Sequence, residues 1–130
     1  MAMIAVVDDD RFVRDGLEDL LASVGHRVRT YQSATQFLES GELADTSCVI
    51  TDLQIPGMSG LDLQQYLSNS SRETPLIFLT GFPNDQARAL ALDRGALAFL
   101  SKPFEEVDLL SCLDRALDGA KHKTANPKQP

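Results

Sequence analysis

Two periodicities alternate along this chain, and that alternation restricts the folds open to it. Short apolar runs occupy residues 4–7, 27–31, 48–51, 76–79 and 96–100. Their lengths are those of β-strands. Between them lie segments whose apolar residues recur every three to four positions. The first carries Val13, Leu17, Leu20, Leu21 and Val24, and the last carries Val107, Leu110, Leu113 and Leu117. That spacing draws one stripe along a helix. Asp10, Ser33, Ser59 and Asn84 stand where N-caps belong, and Ser33 with Gln36 has the spacing of a capping box. Gly25, Gly41, Gly95 and Gly119 stand where a helix would end in a left-handed residue. The pattern is strand then helix, five times over. It predicts an α/β fold, a parallel sheet covered by helices on both faces.

The first and third runs are continuously apolar, as central parallel strands are, whereas residues 27–31 alternate like an edge strand. Both features fit the doubly wound, flavodoxin-like strand order 2-1-3-4-5, whose ligands bind at the carboxyl ends of the strands beside the switch between the first and third. Residues 1–118 are expected to form this one domain. Residues 119–130 hold Lys121, Lys123, Lys128 and two prolines without apolar periodicity, which predicts a disordered tail or the start of a linker.

Apolar residues make up 43% of the chain, charged residues 24%, and the net charge is −7. This is the balance of a globular domain that is a poor nucleic-acid binder and a better cation binder. No run reaches membrane-spanning length, and the apolar N-terminus meets three aspartates rather than a cleavage site, so a cytoplasmic, membrane-free protein is expected. Cys48 and Cys112 each lie in an apolar stretch and read as core residues, not a disulfide framework.

The chemistry gathers at the strand ends. The first strand runs into Asp8, Asp9 and Asp10, the third into Asp52, the fourth into Thr80 and Gly81, and the fifth into Ser101, Lys102 and Pro103. Carboxylates from two adjacent strands repel one another, and a hard cation such as Mg²⁺ relieves that repulsion. Asp10 reads as the helix cap. A carboxylate is also a nucleophile toward phosphorus, and phosphoryl transfer needs its equatorial oxygens neutralised by a metal, a lysine or a hydroxyl. One of each stands beside Asp52.

The stretches Val6-Val7-Asp8-Asp9-Asp10, Thr51-Asp52-Leu53-Gln54-Ile55-Pro56-Gly57-Met58-Ser59-Gly60, Leu79-Thr80-Gly81 and Phe99-Leu100-Ser101-Lys102-Pro103-Phe104 resemble the signature segments of CheY-like receiver domains of two-component response regulators. The resemblance spans residues 3–118 and is nearest to the FixJ type, in which the receiver precedes a helix-turn-helix output domain. It implies that a sensor histidine kinase phosphorylates Asp52 in a Mg²⁺-dependent reaction and so controls an output, here transcription. Asp9 would bind the metal directly, Asp8 would bind it through water or orient its ligands, and Gln54 would bind it through its backbone carbonyl, with Asp52 completing the set. Thr80 and Lys102 would bond phosphoryl oxygens. Phe99 would switch rotamer with Thr80, and the Lys102–Pro103 bond would be cis. Residues 84–118 would form a phosphorylation-dependent homodimer. The domain would be a signalling phosphoacceptor, catalysing only its own phosphorylation and dephosphorylation.

Two positions depart from the commonest pattern of the family, Gly57 for a polar residue and Phe99 for Tyr. Other functions compete. A phosphatase of the haloacid-dehalogenase type also uses an aspartyl nucleophile, Mg²⁺, Thr and Lys, but its second acid would fall at Gln54. A flavodoxin-like carrier would need a phosphate-binding loop after the first strand. A pseudo-receiver would lack phosphorylation altogether, against the full set of acidic, hydroxyl and lysine groups.

Overall fold

The structure is a computed structural model that describes residues 2–70 and 73–125. In chain order it contains β1 (Met3–Val7), α1 (Arg11–Ser23), β2 (Arg27–Tyr31), α2 (Ala34–Glu39), a single 3₁₀ turn (Leu43–Asp45), β3 (Cys48–Asp52), α3 (Gly60–Ser68), β4 (Leu76–Thr80), α4 (Asp85–Asp93), β5 (Ala98–Ser101) and α5 (Glu106–Ala125). All strand pairs are parallel, and the order is β2-β1-β3-β4-β5. The three central strands are buried at every position, and β2 is the half-exposed edge that its alternation predicts.

Successive residues of a strand point to opposite faces, so the sheet separates two cores. Ala5 and Val7 face Phe37, Leu63, Phe78, Ala91 and Phe99. Ile4 and Val6 face Leu17, Leu21, Ile50, Leu109 and Leu113 on the other side. Cys48 and Cys112 lie buried as free thiols in this second core.

The N-caps fall where expected: Asp10, Ser33, Ser59 and Asn84 each accept a hydrogen bond from the first turn of α1, α2, α3 and α4. The complete capping box is at Ser59 and Asp62. At α2 the Gln36 side chain reaches back to the N–H of Gln32 instead of Ser33, one residue beyond the box. Gly25, Gly41 and Gly95 have φ of 96°, 74° and 101°, as helix ends require.

Four details differ from the sequence expectations. Gly119 lies inside α5, whose backbone continues to Ala125, past the expected boundary at 118. A single helix-interior Gly costs only about 1 kcal/mol, and the alanines and lysines after it favour helix. Residues 126–130 of the expected tail lie outside the described residues. In α5 the buried stripe is Leu109, Cys112, Leu113 and Ala116, while Val107 is exposed. Two overlapping three-to-four-residue registers exist in that segment, and the one with small residues at 112 and 116 is the one that packs against the sheet. In α1 and its end, Leu17 and Leu21 are buried and Val24 is exposed as the C-cap residue. Finally, β5 begins at Ala98, because Ala96 is used to close α4: its N–H bonds Ala91 O at 3.0 Å.

Candidate functional site

The parallel sheet delivers Asp8, Asp52, Thr80 and Lys102 to one edge, because all four follow or end strands that run the same way. Asp8 is the first residue after β1. Its N–H donates to Tyr31 O at 3.1 Å, and its own carbonyl accepts from Arg14 Nη1 at 2.8 Å. Its Oδ1 accepts the Asp10 N–H at 2.9 Å, and its Oδ2 lies 2.9 Å from Lys102 Nζ. Asp52 ends β3. Its Oδ1 accepts the Gln54 N–H at 3.0 Å, and its Oδ2 lies 2.8 Å from the same Lys102 nitrogen. One ammonium thus clasps carboxylates from two adjacent strands. Lys102 is aimed there from the end of β5, next to a cis Lys102–Pro103 peptide bond.

Asp8, Asp9 and Asp52 each offer a carboxylate oxygen within 4.8 Å of the others. Asp8 is buried, Asp52 nearly so, and Asp9 exposed, so the cluster opens toward solvent on one side. Burial pushes the Asp8 carboxyl above its ordinary range, against the opposing pull of the Lys102 bond. Burial also works to lower the Lys102 pKa, but its bonds to Asp52 and Asp8 outweigh that, so its ammonium is held charged above the ordinary range. A set of hard oxygen donors, without nitrogen or sulfur, suits a hard divalent cation of the Mg²⁺ kind.

Thr80 ends β4 fully buried, and its hydroxyl accepts the Phe82 N–H at 3.1 Å. Phe99 is buried on β5 and packs on Phe78 with ring centroids 5.8 Å apart. The structure thus brings Asp8, Asp9, Asp52 and Lys102 into one cluster, with Thr80 at the end of the neighbouring strand and Phe99 in the core on Phe78. Gln54 contributes its N–H to Asp52, while its side chain faces solvent. Gly57 has φ of 80°, a left-handed conformation that glycine adopts without strain.

Two residues were not legible in advance. Arg14 supports Asp8 through a backbone carbonyl, which carries no signature in a sequence. Gly60 has no side chain and so offers no chemical group to read. A Cβ there would lie 2.4 Å from Asp52 O and 2.9 Å from the Phe78 ring. Its missing side chain lets α3 press directly on the strand end that carries Asp52.

The carboxylate cluster thus lies at the strand ends beside the β1/β3 switch point, where doubly wound sheets bind their ligands. Residues 4–114 match the response regulator receiver domain. The chain belongs to that family. It is 40% identical to the response regulator protein TmoT of Ectopseudomonas mendocina over 129 residues, covering 98% of this chain and 58% of that protein. It is 35% identical to the transcriptional regulatory protein FixJ of Azorhizobium caulinodans, covering 88% of this chain and 54% of FixJ. A solved response regulator receiver domain from Clostridium thermocellum superposes with a TM-score of 0.87 at 29% identity, covering 93% of this chain and 98% of that one. The chain thus spans about half the length of these curated relatives. Among the described residues no helix is long and apolar enough to cross a membrane.

Proposed function

We propose that this domain is a phosphoacceptor switch in which Asp52 takes a phosphoryl group from the phosphohistidine of a sensor kinase. The observation that carries the reading is the bridge from Lys102 Nζ to both Asp8 and Asp52, at 2.9 and 2.8 Å. It sets an ammonium against two carboxylates of the acidic cluster, the neighbourhood that a phosphoryl-accepting carboxylate needs.

Asp8, Asp9 and Asp52, with the Gln54 carbonyl, would hold Mg²⁺, which when bound neutralises charge on the phosphoryl oxygens. Both Asp52 oxygens are engaged at rest. For the reaction, Lys102 gives up its bond to Asp52 Oδ2 and pairs with a phosphoryl oxygen instead. The freed oxygen attacks phosphorus, the P–N bond to the donor imidazole breaks, and the phosphoryl group ends on the carboxylate. Attack by water at the same phosphorus later releases inorganic phosphate and restores Asp52. The Thr80 hydroxyl, which accepts the Phe82 N–H at rest, donates its own O–H to a phosphoryl oxygen, and Phe99 turns into the space that movement opens. These steps make the domain a catalyst of its own modification only.

The chain's FixJ-like relatives are named as transcriptional regulators, and control of transcription by a segment outside residues 1–118 is the output we propose. The exposed Leu90 and Leu92 on α4, with Phe82 just before it, support a phosphorylation-dependent homodimer through residues 84–118. Sedimentation as the same monomer before and after phosphorylation would remove that part of the proposal. The chemistry itself is tested by intact mass after incubation with acetyl phosphate. A one-phosphoryl gain that needs Mg²⁺ and disappears in Asp52→Asn is expected. No gain with Mg²⁺ present would contradict it and favour an interaction module that is never phosphorylated.

A further inference from the structure

Among the described residues α4 is the least anchored helix: it buries a single residue, Ala91. What crosses to it from α3 is a polar side chain. Gln64 is 4% exposed, and its Nε2 donates to Ala91 O at 2.8 Å. That carbonyl already accepts the Ala96 N–H at 3.0 Å, while Gly95 N–H bonds Leu92 O at 3.0 Å. The two bonds, with Gly95 at φ 101°, form the closing motif of the helix. The carbonyl therefore has a partner without Gln64. Among the described residues, Gln64 Oε1 is the one buried side-chain polar atom that has none.

An apolar side chain would grip α4 by burial alone. A half-satisfied amide does the opposite. Its one hydrogen bond gains little net, and its stranded acceptor carries a desolvation penalty that water removes as soon as the seam opens. We infer that Gln64 is a release latch, which fixes the resting place of the last turn of α4 but keeps that turn cheap to displace. The turn leads directly into β5, which carries Phe99 and ends one residue before Lys102. Displacement of α4 is thereby coupled to the strand that closes the acidic site. The inference does not depend on phosphorylation of Asp52.

Hydrogen exchange on the unmodified protein tests it, with no metal or phosphodonor present. The amides of Arg94, Gly95 and Ala96, bonded to Leu90 O, Leu92 O and Ala91 O, report the last turn of α4 directly. Gln64→Leu replaces the latch with an apolar grip, and Gln64→Met does so with an unbranched chain of similar length. A release latch predicts that exchange at these three amides slows about tenfold in either variant, while β1 and β3 amides keep their rates. Unchanged or faster exchange at the three amides in both variants would show that Gln64 is a plain tether. Slowing spread evenly over the molecule would show only general stabilisation. Either result overturns the inference.

Discussion

Lys102 holds two carboxylates that would otherwise face each other across adjacent strands, and its side chain is 20% exposed against 3% and 12% for Asp8 and Asp52. Removing one partner of such a cluster leaves uncompensated, largely buried charge. Lys102→Met is therefore expected to lower unfolding free energy by about 1–3 kcal/mol in the absence of divalent cations. Mg²⁺ should recover much of that loss, because a cation that binds the folded state stabilises it, and here it binds carboxylates no longer occupied by an ammonium. Urea unfolding of both proteins, with Mg²⁺ and with chelator, reads both effects. Equal losses in the two conditions would mean that the lysine and the cation do not share these oxygens.

At the scale of elements, the site depends on how closely α3 sits on β3. The N–H of Gly60 bonds Leu53 O at 2.9 Å, and a methyl group at Gly60 would meet the Asp52 carbonyl at 2.4 Å. That neighbour is backbone and cannot swing aside. Gly60→Ala should cost about 1–3 kcal/mol by overpacking and should also lower the rate of phosphorylation by acetyl phosphate, since Asp52 must shift. A variant with wild-type stability and rate would show that the contact relaxes freely. The sequence made the strands, the caps and the strand-end cluster readable, because each rests on a local signal: an apolar run, a Ser, Asp or Asn before a helix, a carboxylate or lysine after a strand. What it hid was phase and backbone. Leu109 and Val107 are equally plausible core residues on periodicity, and only the small Cys112 and Ala116 beneath the sheet decide for Leu109. The support of Asp8 by Arg14 and the seating of Gly60 involve main-chain atoms, which every residue has alike.

For the molecule as a whole, the two faces of the sheet carry different duties. The core shared by α1 and α5 is apolar, with Cys48 at 0% exposure, and burial pushes that thiol from 9.0 up to about 12. A folded-state pKa above the unfolded one adds stability that is complete below pH 9.0 and is lost as pH rises toward 12. Stability should thus fall by about 1.4 kcal/mol per pH unit in that window from this group, and Cys48→Ala should remove that slope. Unfolding measured between pH 8 and 10.5 checks it; parallel slopes in the two proteins would contradict it. The opposite face holds Phe78, Phe99 and the α3–α4 seam, and on the proposed function the phosphoryl signal would be carried through that face and not through the core that holds Cys48. That division has meaning only if the phosphoryl group lands on Asp52. Borohydride reduces an acyl phosphate to an alcohol but leaves free carboxylates untouched. Treatment of the acetyl phosphate-modified protein, followed by peptide mass analysis, should therefore find reduction to homoserine at position 52 and nowhere else. Reduction at position 8 or 9 instead, or at no aspartate, would contradict the account.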